Sequence, residues 1–116
     1  MKANKINKPW GYEELIELND RYCLKKLYMK KNNRCSLQYH KKKIETIYVV
    51  DGPLFILHGK SLKNLKIKKL KTGEFFTLNK KEIHRMFSKS KRSIYLEAST
   101  SDLKDVVRIA DDYNRV

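Results

Sequence analysis

Short runs of apolar and β-branched residues, separated by clusters of Gly, Pro, Asn and Asp, recur along almost the whole chain. That pattern predicts strands joined by tight turns. The runs fall at residues 12–18, 22–29, 35–40, 44–50, 54–58, 65–70, 75–78, 83–87 and 93–98. Asn19-Asp20, residues 31–34, Asp51-Gly52-Pro53, Gly59 and Thr72-Gly73-Glu74 supply the turns. About nine short strands with a turn signal roughly every 8 to 12 residues predict an all-β sandwich or barrel. Residues 44–50 are almost continuously apolar, the pattern of a strand covered on both faces. Residues 1–12 read as a turn-rich arm carrying the only tryptophan, Trp10. Residues 101–110 fit either a helix capped by Ser101 or a loop followed by a short strand, and the loop and strand is the preferred reading.

With 116 residues, 41% of them hydrophobic, residues 1–116 are expected to form one domain, with 101–116 as a tail packed on the barrel. No run of about 18 apolar residues occurs, and the opening Met1-Lys2-Ala3-Asn4-Lys5 has no apolar signal core, so a cytoplasmic protein without a membrane span is expected. Cys23 and Cys35 are expected to be reduced thiols, since neither spacing nor neighbours suggest a metal knuckle. The net charge of +14 and pI near 9.8 suit either a polyanion or a phosphorylated small molecule. Lysines such as Lys25, Lys26, Lys66, Lys68 and Lys69 occupy turns and alternate strand positions, as on a solvated sheet face. Compositional drift toward lysine accounts for the charge as well as a partner does. No strand carries the aromatic spacing of an RNA-binding sheet, so no specific nucleic acid is expected.

The chemistry gathers in residues 36–52. Alternation along a strand puts Gln38 and His40 on one face, and Glu45 can face them from the next strand after the basic corner Lys41-Lys42-Lys43. Downstream, a turn at Gly73 leads through a strand to His84, the fourth candidate. Two imidazoles, an amide oxygen and a carboxylate suit one divalent transition metal (zinc, manganese, iron, cobalt or nickel), with positions left for water or substrate.

These residues carry a family resemblance. The first cupin motif, Gly-x5-His-x-His-x4-Glu-x6-Gly, lands on Asn32, Gln38, His40, Glu45 and Gly52. The second, Gly-x5-Pro-x-Gly-x2-His-x3-Asn, lands on Gly73, Asn79, Lys81, His84 and Ser88. More closely, Lys8-Pro9-Trp10-Gly11-Tyr12-Glu13, residues 36–40, Ile83-His84-Arg85 and residues 107–115 resemble the cupin domain of type II mannose-6-phosphate isomerases, which often follows a guanylyltransferase domain, and a stand-alone version of that cupin is expected.

The resemblance implies a cupin jelly roll, or double-stranded β-helix, with the metal on Gln38, His40, Glu45 and His84 inside the mouth of the barrel. It implies a sugar-phosphate isomerase interconverting mannose 6-phosphate and fructose 6-phosphate for activated-sugar or polysaccharide synthesis, and a homodimer paired through open sheet edges. Lys43 and Glu97 are the candidate catalytic groups, Glu97 being either a pocket acid or a surface carboxylate. Lys43, Arg85 and Tyr48 are the candidate substrate contacts. His58 is read as a turn-side residue, and Trp10 and Tyr12 as packing at a barrel end. Two departures bear on the reaction: the family's arginine associated with isomerisation is Lys43, which keeps the charge and loses the bidentate fork, and the histidine after the glutamate is Thr46. Another metal-cupin activity on a different sugar or small acid, an oxygenase included, and a non-catalytic sugar-binding cupin are the alternatives.

Overall fold

A computed structural model describes residues 1–116. Its strands are β1 (Asn4–Lys8), β2 (Gly11–Leu18), β3 (Cys23–Met29), β4 (Leu37–Tyr39), β5 (Glu45–Asp51), β6 (Leu54–Gly59), β7 (Lys66–Leu70), β8 (Phe75–Leu78), β9 (Ile83–Phe87), β10 (Ser93–Ser99) and β11 (Val107–Ala110). One turn of 3-10 helix, Leu62–Asn64, is the whole helical content, so no helix is long and apolar enough to cross a membrane. The strands form two antiparallel sheets, a six-stranded one in the order β1-β2-β3-β10-β5-β8 and a five-stranded one in the order β11-β4-β9-β6-β7. The jelly-roll reading of the sequence holds.

Alternation decides which side of each strand faces inward. Tyr95, Glu97 and Ser99 of β10 are buried while Ala98 is exposed, and Ile47 and Val49 of β5 are buried opposite them. From the other sheet Leu54 and Ile56 of β6, Leu70 of β7 and Met86 of β9 close the same core. Truncating a core residue of this kind, such as Ile56→Ala, removes on the order of 2–5 kcal/mol. The expectation that residues 44–50 are covered on both faces needs correction. Tyr48 and Val50 are 45% and 41% exposed, because nothing packs over the outer face of this sheet.

The ends of the chain are more ordered than the sequence suggests. The arm is mostly strand: β1 pairs with β2 from Asn4↔Leu15 to Lys8↔Gly11, and the intervening Trp10 is driven into the core. Gly11 permits this, since a Cβ there would lie 1.8 Å from the Tyr28 carbonyl oxygen, so only glycine lets β2 approach β3 so closely. Residues 101–106 form turns and β11 follows, pairing with β4, which settles the tail as loop and strand. The buried Arg85 donates to the Cys35 carbonyl at 2.8 Å and the Ala110 carbonyl at 3.2 Å, tying β9 to both segments. Arg34 with Asp112 at 2.6 Å and the Tyr113 hydroxyl with Asn33 at 2.8 Å fasten the rest.

Two positions where the family motif has glycine keep its backbone without its residue. Asn32 and Lys81 have φ of 57° and 65°. Asn tolerates this left-handed region, but Lys does so at a cost of about 1–2 kcal/mol. The strained turn serves the site, because the Lys81 amide donates to the His40 carbonyl at 2.6 Å. Lys81→Gly retains that amide and relieves the strain, offset in part by the greater freedom of glycine in the unfolded chain. It is expected to stabilise the protein by about 0.5–1 kcal/mol, read as a higher midpoint in urea denaturation; an unchanged or lower midpoint contradicts the assignment of strain.

Candidate metal centre

His40 follows the last residue of β4, Glu45 opens β5 and His84 lies in β9, so the two sheets each supply part of one cluster. The potential ligand atoms of these three residues lie within 4.8 Å of one another. His84 Nε2 is 3.0 Å and His40 Nε2 3.4 Å from Glu45 Oε1, and the side chains are 0%, 3% and 1% exposed respectively for His84, His40 and Glu45. The rings are locked from behind. Nδ1 of His40 meets the Asp105 carbonyl and Nδ1 of His84 the Glu82 carbonyl. A carbonyl only accepts, so each Nδ1 carries a hydrogen and each Nε2 turns toward Glu45 as the atom free to ligate. Neither Nε2 nor either Glu45 oxygen has a hydrogen-bond partner, and buried polar atoms are rarely left so. Positive charge, as a metal ion or as protons on the imidazoles, is what this point favours. The donor set therefore fits the divalent metal.

Gln38 stands beside the cluster. In β4 it is the cross-strand partner of His84, so the two side chains share the inner face, and its Oε1 accepts from the Ser36 hydroxyl at 2.5 Å. That oxygen has a second lone pair for a metal. Burial would raise the Glu45 carboxyl, but the facing polar groups of His40, His84 and Glu97 outweigh it and hold the group well below the usual carboxylate range. Glu97 goes the other way: burial first, then the Glu45 charge, push its carboxyl well above that range. Two carboxyls that share one buried site are thus shifted in opposite directions. Lys43 is buried with Nζ 3.7 Å from Glu45 Oε2.

His40 and Glu45 of this cluster line a cavity of about 670 Å³, its open mouth included, while His84 is fully buried and not part of its lining. Gln38, His40, Lys43, Glu45 and Glu97 line it, as the sequence suggested, and Glu97 is thereby the pocket acid and not a surface carboxylate. Two expected substrate contacts are not brought here. Tyr48 alternates out of phase with Glu45 along β5 and lies on the outer face, and Arg85, adjacent to His84, points to the opposite side of β9 into its carbonyl ties. Other residues were missed. Lys25, expected on a solvated face, turns inward and joins Lys8 around the buried Glu13, at 3.3 Å and 3.8 Å. Leu103, Val106, Arg108 and Arg115 bring the tail into the cavity wall. Inward phase in β2 and β3 was a readable signal for Glu13 and Lys25; the tail offered none without its pairing. His58 belongs to β6, directly opposite His84, with Nδ1 3.0 Å from Glu82 Oε2, and so is not a turn residue. Cys23 and Cys35 are free and buried, and burial pushes the Cys35 thiol up to about 11.

A jelly roll that buries two histidines and a carboxylate together, one histidine and the carboxylate lining an open cavity, is the arrangement of a cupin with a candidate metal centre. The family described as Mannose-6-phosphate isomerase C-terminal matches residues 1–111, and the chain belongs to it. No curated protein matches the sequence. Among solved structures, KdgF from Halomonas sp. is similar at TM-score 0.75 and 12% identity, over 88% of this chain and 91% of its own. CapF, the capsular polysaccharide assembling protein of Staphylococcus aureus, is similar at TM-score 0.80 and 12% identity over 91% of this chain, which spans 34% of CapF. An uncharacterised protein with a double-stranded β-helix domain from Klebsiella pneumoniae is similar at TM-score 0.75 and 10% identity, over 91% of this chain and 90% of its own. At these identities the likeness is one of fold.

Two predictions follow from the geometry. The protein is expected to bind a transition metal, and His40→Ala combined with His84→Ala to abolish that binding, while Tyr48→Ala on the outer face retains it; elemental analysis after dialysis against zinc or manganese reads the result, and equal metal in all three refutes the site. The second concerns Asp105, whose carboxylate accepts the backbone amides of Lys41, Lys42 and Lys43 and sits at about 2 for that reason. A lowered folded-state pKa stabilises the protein above the ordinary carboxylate range and ceases to do so as pH falls through the lowered value. Metal-free Asp105→Asn is thus expected to be less stable than wild type at pH 7, with the deficit shrinking from about pH 4 and nearly gone by about pH 2 in urea titrations.

Proposed function

We propose that the protein is a metal-dependent sugar-phosphate isomerase interconverting mannose 6-phosphate and fructose 6-phosphate, in the synthesis of activated sugars or polysaccharide. Membership of the mannose-6-phosphate isomerase C-terminal family supports the substrate class, and the fold shared with a capsular polysaccharide assembling protein is consistent with the setting. The observation that carries the reading is the gathering of Glu45, Glu97 and the cation Lys43 with His40 and Gln38 around one open cavity.

Aldose–ketose interconversion moves a proton between neighbouring carbons and another between their oxygens. Glu45, His40 and His84, with Gln38 beside them, would hold the metal, which supplies Lewis-acid polarisation of the sugar oxygens when bound. Glu97 carries the proton that passes to a carbonyl oxygen as it becomes a hydroxyl, and retrieves one from the neighbouring hydroxyl. Lys43 donates to the oxygen on which negative charge develops, a role an ammonium fills without the fork of an arginine. Glu13, held by Lys8 and Lys25, is the remaining carboxylate on the cavity wall and the acceptor available to the carbon-bound proton. The buried walls of Trp10, Leu27 and Met86 keep bulk water from the intermediate.

The test is turnover of mannose 6-phosphate by zinc-, manganese- or cobalt-loaded protein. Glu97→Gln preserves shape and removes the exchangeable proton, so kcat is expected to fall about 10²–10⁴-fold with little change in KM. Failure of the wild type to interconvert the two sugar phosphates with any of these metals refutes the isomerase reading.

A further inference from the structure

The cations around the cavity are committed to partners with one exception. Lys8 and Lys25 face Glu13, Lys43 faces Glu45, and Arg115 is bound to Asp111 through two contacts of 2.8 Å. Arg108 lines the same cavity, yet its Nε is buried with no hydrogen-bond partner and no carboxylate lies in ion-pair contact with it. Burying part of a guanidinium without a partner is unfavourable, and a chain that retains this arrangement gains from it only when an anion arrives.

Register places the residue with respect to the chemistry. Arg108 on β11 is directly opposite Gln38 on β4, and Gln38 is directly opposite His84 on β9. Directly opposed residues of antiparallel strands project to the same face, so Arg108, Gln38 and His84 form one inward row across the sheet. The backbone of Arg108 is two strand spacings from that of His84, about 10 Å. One end of the row is the metal cluster and the other a free guanidinium. A linear hexose phosphate has the same polarity, with its reacting carbons at one end and its phosphate at the other. The two residues expected from motif position to receive the phosphate are otherwise engaged, Arg85 by carbonyls behind the sheet and Lys43 by Glu45 on the floor.

We infer that Arg108 is the anion anchor of this cavity, receiving the phosphate of the sugar phosphate while the sugar carbons lie over the floor. The identity of the ligand rests on the proposed function; the anchoring role of Arg108 does not. A guanidinium presents paired N–H donors to phosphate oxygens, a geometry an ammonium does not reproduce. The tail is therefore part of the binding site, since β11 carries the anchor and β4 sets its reach.

Calorimetric titration of the metal-loaded protein with mannose 6-phosphate, and separately with inorganic phosphate, tests this in wild type, Arg108→Ala and Arg108→Lys. Arg108→Ala is expected to weaken both ligands about 10- to 100-fold, with metal content by elemental analysis and the thermal midpoint unchanged. Arg108→Lys, the safeguard should the alanine variant fold poorly, keeps the charge and loses the fork, and is expected to fall between the two. Where turnover is measurable, KM is expected to rise more than kcat falls. Undiminished binding of both ligands in Arg108→Ala overturns the inference even if the wild type is an active isomerase. Loss of binding without any wild-type turnover supports the anchor and removes only the isomerase reading. Absence of binding to either ligand in the wild type overturns the anchor as well.

Discussion

The structure is built around an electrostatic demand: a carboxylate, Glu45, stripped of water at 1% exposure and faced by two imidazole nitrogens that have no other partner. An ionised group in such a place is tolerated only with opposite charge and fixed dipoles around it. Much of the surrounding architecture meets that demand. Backbone carbonyls of Asp105 and Glu82 fix the imidazoles, and the Lys81 amide holds the His40 carbonyl through a backbone conformation that lysine adopts unwillingly. Asp105 also gathers three consecutive amides of the basic corner, so one side chain of the tail shapes the loop between two ligands. The sheets supply rigidity, and the turns between them supply the orientation.

Placing Glu97 beside Glu45 turns this demand into chemistry. Two carboxyls sharing one buried site disfavour each other's ionisation, and Glu45 is shifted down and Glu97 up. Lys43 then balances the charge of Glu45, and Lys8 and Lys25 balance Glu13 in the same way. What is left over is positive and lies on the tail. A cavity whose internal charges are otherwise matched, with one free guanidinium on its wall, is electrostatically prepared for a ligand that is itself anionic.

The basic composition takes on a narrower meaning in this light. Of 27 basic residues only a few point into the cavity, and all of these but Arg108 have stated partners. Surface residues such as Lys66 and Lys68 on β7 lie on an exposed strand edge, where charge also discourages pairing with another chain. The outer face around Tyr48, Val50 and Phe75 is by contrast apolar and uncovered.

Period-two alternation and turn residues were enough to read an all-β sandwich or barrel and to gather Gln38, His40, Glu45 and His84 as candidates, because strand direction and face depend on local sequence, while the jelly roll was implied by the family resemblance. The same alternation, applied strictly, placed Arg85 away from His84 and would have turned Tyr48 outward. Other properties depend on which strands become neighbours. That Trp10 enters the core follows from β1 pairing with β2, and that Lys25 faces inward toward Glu13 follows from the β2–β3 register. The opposite shifts of the Glu45 and Glu97 carboxyls arise from burial and proximity across a sheet, which no stretch of sequence contains. Arg108 is the sharpest case: in the sequence it is one basic residue among 27, and it becomes a candidate anchor only because long-range pairing of β11 with β4 sets it in line with the candidate ligands Gln38 and His84 and leaves it without a partner.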